Sequence, residues 1–206
     1  MRTVMFAAAL LAAGPALAGE ATYTDPKGRF FFTYPSEWPI EAPQKIGTGA
    51  EIVLIGAADV DCSWVSLERS DLAGISLDNV YKTADQEISP EVFLSAFTGL
   101  TQAKGATEAK VEKRELNGWP VHLARLTPSP QPVVAALFFR PGLEMRGVCR
   151  SYDGKNRDAA FEKLLLSFGS PKDAEWALAR QAPPPPPAPS EPAPSAPPAK
   201  QKPKRN

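Results

Sequence analysis

Apolar and polar positions alternate with a period of two over much of the chain, which predicts strands. Residues 29–34 are aromatic and β-favouring and follow the turn formers Asp25, Pro26, Lys27 and Gly28, so a hairpin enters a strand there. Two further strand candidates, 51–55 and 63–68, are separated by residues 56–61, and Cys62 begins the second, where Trp64 and Val65 sit among small or polar neighbours. Four more runs follow at 109–116, 119–126, 133–140 and 145–152, with turns at Asn117, Gly118 and at Pro141, Gly142. Asn-Gly between alternating runs is the strongest short-range hairpin signal.

Between these groups the period lengthens to that of a helix. Residues 77–87 and 90–100 predict two helices. In the second, Val92, Phe93, Ala96, Phe97 and Leu100 fall at helical spacing, with Ser89 as the cap and Pro90 at the first helical position. Residues 156–168 form a closing amphipathic helix that sets Ala160, Phe161, Leu164, Leu165 and Phe168 on one apolar face. Strands, then helices, then strands, then a helix is the α+β order: an antiparallel sheet with flanking helices.

The two ends depart from this pattern. Arg2, an unbroken apolar stretch over 4–13, and Ala16, Leu17, Ala18 in small-x-small order are the parts of a cleavable secretory signal peptide, residues 1–18. A membrane-spanning helix needs about 20 apolar residues, and Gly14 and Pro15 interrupt this stretch earlier, so no transmembrane helix is expected in the mature form. No cysteine stands near the cleavage point to accept a lipid. From 182 to 206, 11 of 25 residues are proline, and Lys200, Lys202, Lys204 and Arg205 crowd the end. Such a segment buries no core and favours solvated polyproline II, which predicts a disordered proline-rich tail with a basic end. One domain, residues 19–181, remains between the ends.

The net charge of zero is a sum of unlike parts. Residues 19–181 hold 18 Lys and Arg against 22 Asp and Glu, about −4, and the tail holds 4 against 1, about +3. An acidic domain without a basic stripe excludes nucleic acid as the main partner, since that binding rests on neutralising phosphates. The two cysteines, Cys62 and Cys149, are expected to form a disulfide, because an exported chain meets an oxidising compartment, periplasmic or extracellular. They are far apart in sequence and not in a Cys-x-x-Cys arrangement, which argues against a redox-active pair.

Phe32, Thr33, Tyr34, Pro35, Ser36, Glu37 and Trp38 resemble the aromatic, x, Tyr-Pro, x, x, Trp signature near the start of PsbP-like domains, and residues 161–168 are similar to their closing helix. The resemblance covers about residues 20–170. It implies an α/β/α sandwich and, through bacterial envelope members of the fold, an exported accessory role. The chain departs from that pattern in its cysteine pair, its proline tail and the missing lipoprotein cysteine.

Few residues carry chemistry. The one histidine, His122, lies inside a strand between Val121 and Leu123, which suits a structural role better than a triad or a multi-histidine metal site. Ser76, between Ile75 and Leu77, lacks the second glycine of a nucleophile elbow, and Gly47, Thr48, Gly49 lacks the third glycine of a phosphate cradle. Asp59 and Asp61 precede Cys62 and could join other acids to hold a hard cation such as calcium, although a solvated hairpin loop is the plainer reading. Tyr34, Trp38, Trp64 and Trp119 could line a groove for a ligand or peptide, or belong to the core. No catalytic residue, metal or cofactor is assigned. The expected function is that of an accessory protein whose domain surface and tail engage a protein or an envelope polymer, with Tyr34, Trp38, Asp59 and Asp61 as the candidate binding residues. The alternatives are a periplasmic hydrolase using carboxylates or His122, and a small-ligand or metal-binding protein.

Overall fold

The computed structural model describes residues 19–127 and 132–181. The proposed signal peptide, 1–18, and the proline-rich tail, 182–206, lie outside the described residues. Nine strands are described: β1 (Glu20–Thr24), β2 (Phe31–Pro35), β3 (Gln44–Gly47), β4 (Ala50–Ala57), β5 (Val60–Glu68), β6 (Glu108–Leu116), β7 (Trp119–Thr127), β8 (Val133–Arg140) and β9 (Leu143–Ser151). The helices are α1 (Ser70–Ala73), α2 (Leu77–Asp85), α3 (Pro90–Phe97), α4 (Asp158–Leu165) and α5 (Asp173–Gln181), with a short 3₁₀ turn at Thr101–Ala103.

β3 to β9 form one antiparallel sheet in the order β3-β4-β5-β9-β8-β7-β6, and β1 and β2 form a separate two-stranded ribbon. The sheet is thus two meanders, β3-β4-β5 and β6-β7-β8-β9, joined where β5 pairs with β9. Cys62 and Cys149 stand directly opposite in that pairing and are bonded, with Cα atoms 4.1 Å apart. The disulfide therefore ties the strand before the helical insertion to the last strand after it.

Period-two alternation gives both faces of the sheet something to bury. On β8, Val134, Ala136 and Phe138 face one side, where the ribbon and α4 cover them, and Val133, Ala135 and Leu137 face the other, in one cluster with Phe93 and Phe97 of α3 and Ala103 of the 3₁₀ turn; α2 also packs against β8. The first side is an aromatic stack: Phe32 lies on Trp64 at 4.7 Å between ring centres, and Phe138 on Phe168 at 4.5 Å. Gly147 makes this packing possible, because a Cβ there would come within 2.5 Å of Leu165 and 3.0 Å of Trp64. The second side centres on Phe93 and Phe97 of α3, whose rings stack at 4.9 Å.

The helix starts follow the expected chemistry. Ser89 Oγ accepts from Val92 N with Pro90 at the first helical position, and Ser76 Oγ accepts from Asn79 N at the start of α2. Two positions read as apolar face turn outward: Val92 is 60% exposed and Ala160 is exposed, so α3 and α4 bury narrower stripes than their spacing predicted. Helix α5 was not foreseen. Its anchor is tertiary, an ion pair between Asp173 and Arg140 and an edge-to-face contact of Trp176 on Trp119. The result is an antiparallel sheet with helices on both faces, the expected α+β sandwich.

Candidate functional site

The two candidate carboxylates lie at one end of the sheet, just beyond the disulfide. β4 and β5 turn tightly there, with Ala57 opposite Val60, and a Cβ on Gly56 would meet the Val60 carbonyl oxygen at 2.5 Å, so the turn requires glycine. The strand exit after Trp38 runs back along β4. Gly56 N donates to Pro39 O at 3.1 Å, Glu41 N donates to Leu54 O at 2.9 Å, and Ile40 bridges Ile55. Across the sheet, Tyr152 N donates to Asp59 O at 2.9 Å. These segments enclose a groove of about 670 Å³ lined by Pro39, Glu41, Leu54, Val60, Asp61 and Tyr152, with the small residues of the turn completing it. Its lining carries two carboxylates and no cation, and Tyr152 is 42% exposed.

Charge at the rim is arranged unevenly. Asp59 is bound by Arg157, which also donates to Asp153 at 2.6 Å. Hydrogen bonds from Ser151 and then Lys155 hold the Asp153 carboxyl well below the usual carboxylate range. Tyr152 Oη lies 3.4 Å from Asp61 Oδ2, and burial, reinforced by the Asp61 charge, pushes the phenol up from its ordinary value. Arg150 stands opposite Asp61 in the strand pairing, reaches the Gln102 and Lys104 carbonyls, and lies over the Tyr152 ring. Among the described residues no three His, Cys, Asp or Glu side chains gather as a metal site, so Asp59 and Asp61 meet no third acid of the kind a calcium site needs.

The aromatic candidates separate. Tyr34 and Trp38 pack half-buried against the aromatic side of the core, and Tyr34 lines a second hollow of about 240 Å³ with Pro35, Glu37, Ala160, Lys163 and Leu164. Trp64 and Trp119 are fully buried and line no surface groove. His122 is also inside: its Nε2 lies 2.8 Å from the Ala84 carbonyl at the end of α2, and desolvation pulls its pKa below the ordinary value. Ser76 is a helix cap, and Gly47, Thr48, Gly49 form the β3–β4 turn, with Gly49 at φ 67°. None of these residues stands in a catalytic arrangement with another.

Sequence reading missed Glu41, Tyr152 and Arg157. A signal for Tyr152 was present in the cysteines: if Cys62 faces Cys149 in an antiparallel pair, position 59 must face position 152. Glu41 had no such signal, since its place depends on how the strand exit folds back.

No family model and no curated protein matches this chain by sequence. Among solved structures, the solution structure of cyanobacterial PsbP (CyanoP) from Synechocystis sp. PCC 6803 matches with a TM-score of 0.51 at 17% identity, over 76% of this chain and 95% of that one. A crystal structure from Bacteroides thetaiotaomicron is more distant, with a TM-score of 0.40 at 9% identity over 75% of this chain and 49% of that one.

Proposed function

The chain has a PsbP-like fold, and from that premise and the site we propose that it is an exported, non-catalytic interaction protein of the bacterial envelope. Residues 1–18 direct export, the domain presents its acidic groove and the Tyr34 hollow, and the basic proline-rich tail extends its reach toward a protein or envelope polymer. One observation carries the non-catalytic part. The single imidazole is spent inside the fold on the Ala84 carbonyl, where burial keeps it neutral and away from solvent. A general base must lie within hydrogen-bond reach of a substrate proton, and His122 has no such exposure. The disulfide supports the oxidising location, and among the described residues no helix is long and apolar enough to cross a membrane.

The test has two arms. Mass spectrometry of periplasmic protein is expected to find a mature chain starting at Gly19; full-length chain in the cytoplasm overturns export. Ester, phosphoester and peptide substrates are expected to show no turnover above buffer. Turnover abolished by His122→Ala would overturn the non-catalytic reading.

A further inference from the structure

The groove of about 670 Å³ at the β4–β5 turn combines an apolar floor, Pro39, Leu54 and Val60, with the exposed Tyr152 ring and two carboxylates, Glu41 and Asp61. A proline-rich segment with clustered lysines is the chemistry such a surface recognises: proline rings and an aromatic ring bury apolar area with little loss of chain entropy, and carboxylates select cations beside them. The chain carries that segment itself. We propose that this groove is the docking site of the protein's own C-terminal segment, with prolines such as Pro197 and Pro198 on the apolar floor and Tyr152, and the cations at Lys200, Lys202, Lys204 and Arg205 facing Glu41 and Asp61.

Reach and charge both fit. Helix α5 ends at Gln181, and 18 residues separate it from Lys200, so the 19 steps from one to the other span about 59 Å at the polyproline II rise of about 3.1 Å per residue. A domain of this length has a radius of gyration of about 15 Å, so the basic end can reach any face of it. The domain carries 18 basic against 22 acidic residues and the tail 4 against 1, so attraction favours the contact. Tethering supplies an effective concentration on the order of millimolar, enough to populate a weak, salt-sensitive contact. Other hollows fit less well. Beside the chosen groove, Arg150 lies over the Tyr152 ring and donates to the Gln102 and Lys104 carbonyls, whereas the hollow beside Gly47 to Gly49 has Lys27 and Lys45 in its lining, the Tyr34 hollow contains Lys163, and the acidic notch at Glu91 and Glu108 is only about 290 Å³ and has no aromatic ring. A docked tail shields its own cations until a more strongly anionic partner displaces it. This deepens the reading of the tail as a reaching element and does not depend on export or on the partner's identity.

The test uses the full chain. Amide NMR spectra of the protein are compared with those of a variant carrying Lys200→Glu, Lys202→Glu, Lys204→Glu and Arg205→Glu. The amides of residues 56–61 and of Tyr152 are expected to shift, and the difference to vanish near 1 M salt, where the Debye length falls to about 3 Å. In a second variant, Glu41→Gln with Asp61→Asn, the tail amides around Lys200 and Lys202 are expected to lose the salt dependence they show in the unaltered protein. Unchanged groove amides, shifts at Glu91 and Glu108 instead, or shifts that grow with protein concentration, which mark the tail of a second copy, each overturn the proposal. Envelope binding enters neither readout, so failure of the interaction role and failure of this contact are seen separately.

Discussion

Arg140 and Asp173 form an ion pair inside the protein, with Nε 2.7 Å from Oδ1 and side chains 1% and 7% exposed. The carboxylate also accepts from Ser170 N at 3.0 Å, and the guanidinium lies over the rings of Trp119 and Phe168. Burial drives the Arg140 pKa down, and Asp173 opposes that by bonding the charged form. The pair, together with the Trp176 contact on Trp119 and the Arg180 bond to the Gly118 carbonyl, fastens α5, and with it the point from which the tail departs, to the sheet.

Removing one partner of such a pair leaves an uncompensated buried charge. Asp173→Ala is expected to cost about 3–5 kcal/mol in urea unfolding. A loss below about 1 kcal/mol would show that α5 is an appendage.

Phe97 is fully buried against Phe93 on the second side of the sheet. Phe97→Ala should cost roughly 3–5 kcal/mol by leaving a cavity that α3 cannot close. Val92→Ala, on the exposed side of the same helix, should change stability by no more than about 0.5 kcal/mol, and similar losses for both would contradict the assigned face.

The disulfide closes a sequence separation of 87 residues. On the chain-entropy account, that cross-link stabilises the fold by about 4–5 kcal/mol. The paired variant Cys62→Ala, Cys149→Ala should lose a comparable amount in denaturant unfolding while keeping the native circular dichroism. An unchanged midpoint would show that the two meanders hold together without it.

His122 sets a pH dependence of definite sign. Desolvation lowers its folded pKa below the ordinary 6.5, so the unfolded chain takes up a proton first as pH falls. Stability from this group is fully present above about pH 6.5 and is lost as pH drops toward the folded value; carboxylates follow near pH 4. Denaturation at pH 8, 6.5 and 5.5 should show the loss in the unaltered protein and a flatter profile in His122→Gln. Equal slopes would mean that the imidazole is protonated in place.

The sheet was readable because alternation, turn residues and caps agreed along β4 to β9 and α2 to α4. Elements held by tertiary contacts alone were not. β3 is exposed at all four positions and carries no apolar period, β1 is ordered by pairing with β2, and α5 depends on Arg140, some 33 residues away. The site was half legible. Asp61 lines the groove and Asp59 lies outside its lining, engaged by Arg157, while Trp64 and Trp119 are core, since an indole in a strand gives no sign of which face it will occupy.

The interaction role is tested most directly by co-sedimentation of the protein with envelope fractions at low and high salt, for the full chain and for a chain ending at Gln181. The full chain is expected to sediment at low salt and to be released at high salt, the shortened chain to sediment less, and both to unfold at nearly the same temperature. Identical sedimentation of the two chains at both salt concentrations would contradict the interaction role.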